Sequence, residues 1–153
     1  MKTSMRVEGL QDLDAALADL PQSTAKGVVR RTLIKAGQPI VEDYANNVRR
    51  RSGTLAESAG VSTKLSRRQR RLHRKMFADD RAAVEVFAGA GPLSQAITEE
   101  FGTVNQEPQG QMRAAWDRNK QKALQIVQTE TWSEISKTAA RLARRRARQA
   151  AKG

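Results

Sequence analysis

From Met112 to Lys152 the chain contains neither proline nor glycine, and Trp116, Ala123, Leu124, Val127, Ile135, Ala139 and Leu142 mark one apolar side along it. Apolar residues recurring at three- and four-residue steps are the signature of an amphipathic helix. Some 35 residues at ~1.5 Å each make a rod of about 50 Å, longer than a domain of this size is wide. Whatever else the chain does, it has to build around that rod. The last two turns, RRRARQAAK, offer only alanine as a core face and are expected to project or fray.

A second helix of about 25 residues is expected after Pro21, with Ser23 or Thr24 as its cap and Ala25, Val28, Val29, Leu33, Ala36, Ile40, Val41, Tyr44 and Val48 as its apolar stripe. Pro39 inside it removes one backbone donor, so a kink is expected near Lys35 and Ala36. Ahead of it, residues 5–9 read as an extended lead-in, and Leu10, Leu13, Leu17 and Leu20 recur at helical spacing. The middle of the chain changes character. Gly60–Leu65 and Arg81–Phe87 are short, partly alternating and β-branched, which predicts two strands. Between them Ser66 and Gln69 have the spacing of a capping box ahead of a basic arm, RRQRRLHRKM, predicted as a short exposed helix with Leu72, Met76 and Phe77 on one side. Gly89–Pro92 reads as a turn, residues 93–101 as a short helix ended by Gly102, and Thr103–Gly110 as a loop. No internal repeat is present. The fold class is α+β: long N-terminal and C-terminal helices on a small antiparallel sheet, with one domain over residues 1–140 and a basic helical tail over 141–153.

Composition narrows the chemistry. The 153 residues contain no cysteine and one histidine, His73, so a disulfide, a thiolate metal site or a histidine-rich centre has no material. The acidic neighbours Glu99–Glu100 and Asp79–Asp80 point apart on any regular element, and GAGP (residues 89–92) lacks the lysine and spacing of a phosphate loop. No enzyme, cofactor or metal is expected. No apolar run approaches the roughly 18 residues of a membrane span.

The net charge is +12, and it is local. Arg49–Lys75 holds ten Lys and Arg against one acid, Glu57, and Arg141–Lys152 holds six against none. Arg67, Arg68, Arg70, Arg71, Arg74 and Lys75 in the arm, with Arg144, Arg145, Arg146 and Arg148 in the tail, are the candidate contacts for DNA or an acidic partner. Each cation that neutralises a phosphate releases counterions, which gives salt-sensitive attraction with little sequence preference. The competing reading of such runs is a solvated, solubilising surface. Trp116 and Trp132 are open between interface anchors and packing on the helix pair.

Several separated pieces together resemble a known family. VEGLQDLDAALADLP (Val7–Pro21) precedes a long helix with a basic end. RRRSGTLAES (Arg49–Ser58) is similar to a basic–small–Gly–x–Leu–x–x–Ser signature, and ITEEFGT (Ile97–Thr103) to a Glu–Phe–Gly–Thr signature. QMRAAWDRNKQKAL (Gln111–Leu124) leads into the terminal helix, keeping Arg113 and Ala115 where family members often have Pro-Phe-x-Arg-Pro-Ala. In order and spacing these resemble the tail-completion or neck proteins of long-tailed bacteriophages, encoded between the head-closure and tail-terminator genes. The resemblance implies a structural virion protein of the head–tail junction, assembled in the host cytoplasm. It implies a homo-oligomeric, hexameric ring between head-closure and tail-terminator proteins, with genomic double-stranded DNA in its lumen and no membrane. It implies that Gly53, Thr54, Leu55, Ser58, Glu100, Phe101, Gly102, Thr103 and Arg113 are structural or subunit-contact positions, with Phe101 as a buried plug. The alternative function is a sequence-indifferent nucleic-acid-binding protein using its arginine-rich segments.

Overall fold

The computed structural model describes residues 10–49, 53–78 and 83–152. The extended lead-in at 5–9, the pair Asp79–Asp80 and the head of the Arg49–Ser58 motif at 50–52 lie outside them. Six helices and two strands follow in the order α1 Leu10–Ala18, α2 Gln22–Asn47, α3 Thr54–Ser58, β1 Gly60–Ser62, α4 Arg67–Met76, β2 Phe87–Gly89, α5 Ser94–Phe101 and α6 Gln111–Ala150.

The two long helices α2 and α6 lie antiparallel and form the body. Arg31 pairs with Glu134 at 2.8 Å, Lys35 with Glu130 at 2.6 Å and Asp43 with Arg118 at 2.9 Å, so residues advancing along one helix meet residues receding along the other. Two apolar clusters sit along their seam. Leu13, Val28 and Ile135 tie α1 to the pair at one end. Ile40, Tyr44, Val48, Leu55, Ala96 and Ala115 bring α3 and α5 against it at the other. Of the α2 side chains named from periodicity, Val28, Ala36, Ile40, Val41 and Tyr44 are buried, as is Val48 just past the helix, while Ala25, Val29 and Leu33 are half-buried and the unnamed Thr32 and Gly37 join the buried face.

The expected cap of α2 is corrected. Neither Ser23 nor Thr24 caps α2. The helix begins at Gln22, and the Pro21 carbonyl accepts from the Thr24 and Ala25 amides at 2.8 and 2.9 Å, so the chain is already helical where a cap had been expected. The helix runs as one element through Pro39, although that residue offers no amide to the Lys35 carbonyl. The rod α6 spans 40 residues, ~60 Å, and residues 141–150 continue it unbroken.

The strands are three residues each, paired antiparallel as Gly60↔Gly89, Val61↔Ala88 and Ser62↔Phe87. The first is shorter than Gly60–Leu65 because the Ser62 hydroxyl turns back to bond the Lys64 amide at 3.0 Å. The second begins where Arg81–Phe87 was expected to end and takes in Gly89, which had been read as part of the turn. The fold is therefore α+β in the coarse sense, but helix-dominated, with a two-stranded ribbon laid on α2.

Candidate functional site

The Arg49–Ser58 motif shares a core cluster with the helix that carries the Ile97–Thr103 motif, through Ala96 just ahead of that motif. Gly53 takes a left-handed φ of 79° and starts α3, which drives Leu55 into the same cluster as Ala96 of α5. The Ser58 hydroxyl lies within bonding reach of the Leu55 carbonyl (2.8 Å) and the Ala90 carbonyl (2.9 Å), fastening α3 to the segment after β2. Gly91 comes so close to that serine that a β-carbon there would stand 2.3 Å from the Ser58 carbonyl oxygen. Thr54 is exposed.

Glu100 has a role that the sequence reading did not find. Its carboxylate accepts from the backbone amides of Met112 at 2.9 Å and Arg113 at 3.1 Å. The first amides of a helix have no partner within the helix and carry its positive dipole end. Gly110, in the N-cap position of α6, has no side chain to serve them. A carboxylate from the neighbouring helix does so instead. The clue in the sequence was negative: a 40-residue helix that starts without Ser, Thr, Asp or Asn at its cap. Arg113 contributes its amide to this contact, while the residue itself is exposed. Glu99 points elsewhere, accepting from the Gln106 side-chain amide at 3.0 Å.

Phe101 is not a buried plug. It is 67% exposed. Ala96 is the α5 residue in the core, and five residues at ~100° each carry Phe101 well round to the other side of the helix. Gly102 then turns the chain at φ 75°, where a β-carbon would stand 2.7 Å from the Gln106 carbonyl oxygen and 2.8 Å from the Pro108 nitrogen. Thr103 closes a tight hairpin with Gln106 through reciprocal backbone bonds of 2.8 and 3.3 Å. Ile97, Phe101 and Val104 are exposed together on this corner.

The basic arm is a capped helix. The Ser66 hydroxyl accepts from the Gln69 amide, and the Gln69 side chain accepts from the Ser66 amide at 3.1 Å. His73 anchors it to the ribbon, its ring 5.0 Å from Phe77 and edge-on to Phe87 at 5.3 Å, with Nε2 3.8 Å from the Glu85 carboxylate. Arg70, His73, Arg74 and Phe77 line the cleft beneath α4 with Glu85 and Phe87. Arg68, Arg71 and Lys75 fall on the opposite side with Leu72 and Met76, at 48% and 73% exposure. Among the described residues, Arg67, Arg68, Arg71, Arg74 and Lys75 have no acidic partner.

The tail cations lie elsewhere. With Arg31 facing Glu134 and Lys35 facing Glu130, the start of α2 at Gln22 falls opposite about residue 143, so Arg144, Arg145, Arg146 and Arg148 lie on the part of α6 that overhangs it. All four are exposed. Ala88 of the ribbon lines one cleft with α6 residues that reach no further along than Val127, roughly 17 residues or ~25 Å of helix before Arg144. The two cationic groups are two surfaces. Trp116 and Trp132 are exposed on α6 at 53% and 43%.

The α2–α6 seam and its end hold carboxyl and hydroxyl groups shifted from their ordinary values. The Arg118 hydrogen bond holds the Asp43 carboxyl below its ordinary value, and the Arg31 hydrogen bond does the same for Glu134. Burial, and then the nearby charges of Glu100 and Glu99, push the Tyr44 hydroxyl upward. Among the described residues no group of three or more His, Asp or Glu could hold a metal ion, and no helix is long and apolar enough to cross a membrane. Comparison with known protein families, characterised proteins and solved structures gave no match.

Proposed function

We propose that this chain is a structural component of a bacteriophage head–tail junction, a ring-forming tail-completion protein with the genome passing through its centre. The observation that carries the reading is the kind of work the signature residues do. Leu55, Ser58, Glu100 and Gly102 fasten helices and set turns, while the exposed features are a cationic helix, a cationic overhang and an apolar corner. Such a chain has contact surfaces in excess of what its own core uses. A ring joins two different patches of neighbouring copies, and separate unpartnered surfaces suit that geometry. A channel for duplex DNA calls for positive charge that does not read sequence, and arginines backed only by alanine meet that demand.

The test is genetic and structural. A phage encoding this chain, with its reading frame interrupted, is expected to accumulate filled heads and free tails, and complementation should restore joined particles. Fully tailed, infectious particles without the protein would refute the reading. The second reading, a free nucleic-acid-binding protein, is favoured by the same unpaired arginines. It requires micromolar or tighter binding of the isolated chain to duplex DNA or RNA, falling steeply with salt.

A further inference from the structure

The outer face of α4 is cationic with apolar residues, the face of α1 is acidic beside an apolar cleft, and the two helices do not pack on one another within one chain. α1 and the turn after it, residues 10–20, carry Asp12, Asp14 and Asp19, all exposed, and no cation, in a chain of net charge +12. None of the three has a basic partner among the described residues, whereas Asp43, Glu130 and Glu134 on the α2–α6 seam are already paired. Asp14 borders a mostly apolar cleft of about 210 Å³ walled by Leu13, Leu17, Val29, Leu33 and Val127 together with Thr32 and Thr131. An apolar cavity of ~150 Å³ is enough to take up benzene, so this one accommodates aliphatic side chains.

α4 presents the converse. Leu72 and Met76 stand one turn apart on its outer side, flanked by Arg68, Arg71 and Lys75, with no acid in the helix. Duplex DNA would satisfy those cations but would leave the two apolar side chains in water. A protein cleft with an acidic rim satisfies both. The tail cations, whose neighbours are alanines, carry no such apolar demand. The helices also match in length, 9 and 10 residues.

We infer that α4 of one copy docks on the α1 cleft of a second copy, Leu72 and Met76 entering the cleft and Arg68, Arg71 and Lys75 drawn to Asp14 at its rim and to the wider acidic charge of Asp12 and Asp19 around α1. This is helix-in-groove recognition, and because the two surfaces differ it propagates head to tail. The inference deepens the ring reading and rests on it only for closure of the chain of copies into a ring.

Two charge-reversed full-length variants test it. One carries Arg68→Glu, Arg71→Glu and Lys75→Glu; the other carries Asp14→Lys and Asp19→Lys. All five positions are exposed, so far-UV circular dichroism and thermal melts should match wild type. In sedimentation velocity at low salt the wild type is expected to self-associate, and each variant alone is expected to be monomeric. An equimolar mixture should associate again in 1:1 stoichiometry, because each reversed face then meets an opposite one. Leu72→Ser with Met76→Ser should weaken wild-type association at least tenfold and leave duplex-DNA binding unchanged. A wild-type chain monomeric at all concentrations overturns the inference, as does a reversed variant that associates like wild type. Lost DNA binding in the α4 variant with unchanged association would assign that face to nucleic acid instead. Restored association in the mixture, alongside fully tailed phage lacking the protein, would sink the head–tail reading and leave this contact standing.

Discussion

Replacing Glu100 by alanine removes the acceptor for two amides at the root of the longest helix. The carboxylate oxygens stand 2.9 and 3.1 Å from the Met112 and Arg113 nitrogens, so both contacts are hydrogen bonds by distance. Losing an N-cap side chain costs typically ~1 kcal/mol and up to ~2. Hydrogen bonds to charged groups are worth somewhat more than neutral ones, and a negative charge at a helix N-terminus adds ~0.3–1 kcal/mol. Glu100 is only partly buried, so water can replace part of what is lost, and the expected cost is about 2 kcal/mol. For a domain of this size ~1 kcal/mol corresponds to ~2–4 °C, so the melting temperature should fall by about 4–8 °C. Glu100→Gln keeps one acceptor oxygen and should lose about half as much. Glu107→Ala is the control, since that exposed loop carboxylate accepts no hydrogen bond among the described residues. Differential scanning calorimetry or urea titration measures all three. A Glu100→Ala protein within ~0.5 kcal/mol of wild type would show that this carboxylate does not hold α6, and would remove the structural account of the Glu–Phe–Gly–Thr motif.

Tyr44→Phe should be neutral or stabilising by up to ~1 kcal/mol in urea unfolding, because the buried hydroxyl has no hydrogen-bond partner among the described residues; a loss above 1 kcal/mol would reveal a partner. Gly102→Ala should destabilise by more than ~1 kcal/mol, since it combines a positive φ with an approach of 2.7 Å to the Gln106 carbonyl; an unchanged melting temperature would refute the turn geometry. Asp43 and Glu134 titrate below their ordinary values of 3.8 and 4.5. Their contribution is present above those values and is lost as pH falls through the lower folded-state ones, so stability should decline below about pH 4.5, and Asp43→Asn should flatten that decline. An acid limb identical in wild type and Asp43→Asn would contradict the assignment.

What could be read from the sequence is what local periodicity and capping chemistry determine. The apolar stripe of α2 and the Ser66–Gln69 box of α4 depend on residues within a turn or two of each other; the box appears as expected, and the stripe does so at Val28 and from Ala36 onward, while Thr32 rather than Val29 or Leu33 is buried between them. The strand limits did not follow from composition, because the Ser62 side chain and the partner strand decide where pairing stops. Phe101 was misplaced for a related reason. A large aromatic beside a glycine suggests a core plug, but the rotation of α5 is set by Ala96 against Ala115, a contact between distant segments. The capping carboxylate of Glu100 was hidden because its amides lie 12 and 13 residues onward. The proposed head–tail function rests on motif resemblance and on charge.

The three cross-pairs along the α2–α6 seam have a consequence for the far end of the molecule. Sliding one helix past the other by a single turn would move the tip by ~5.4 Å and set Lys35 against Ile126 in place of Glu130. How far the terminal arginines reach is thus gauged by Arg31, Lys35 and Asp43, which lie well back from the tip, and exchanging partners along that ladder would lengthen or shorten the reach without altering an arginine.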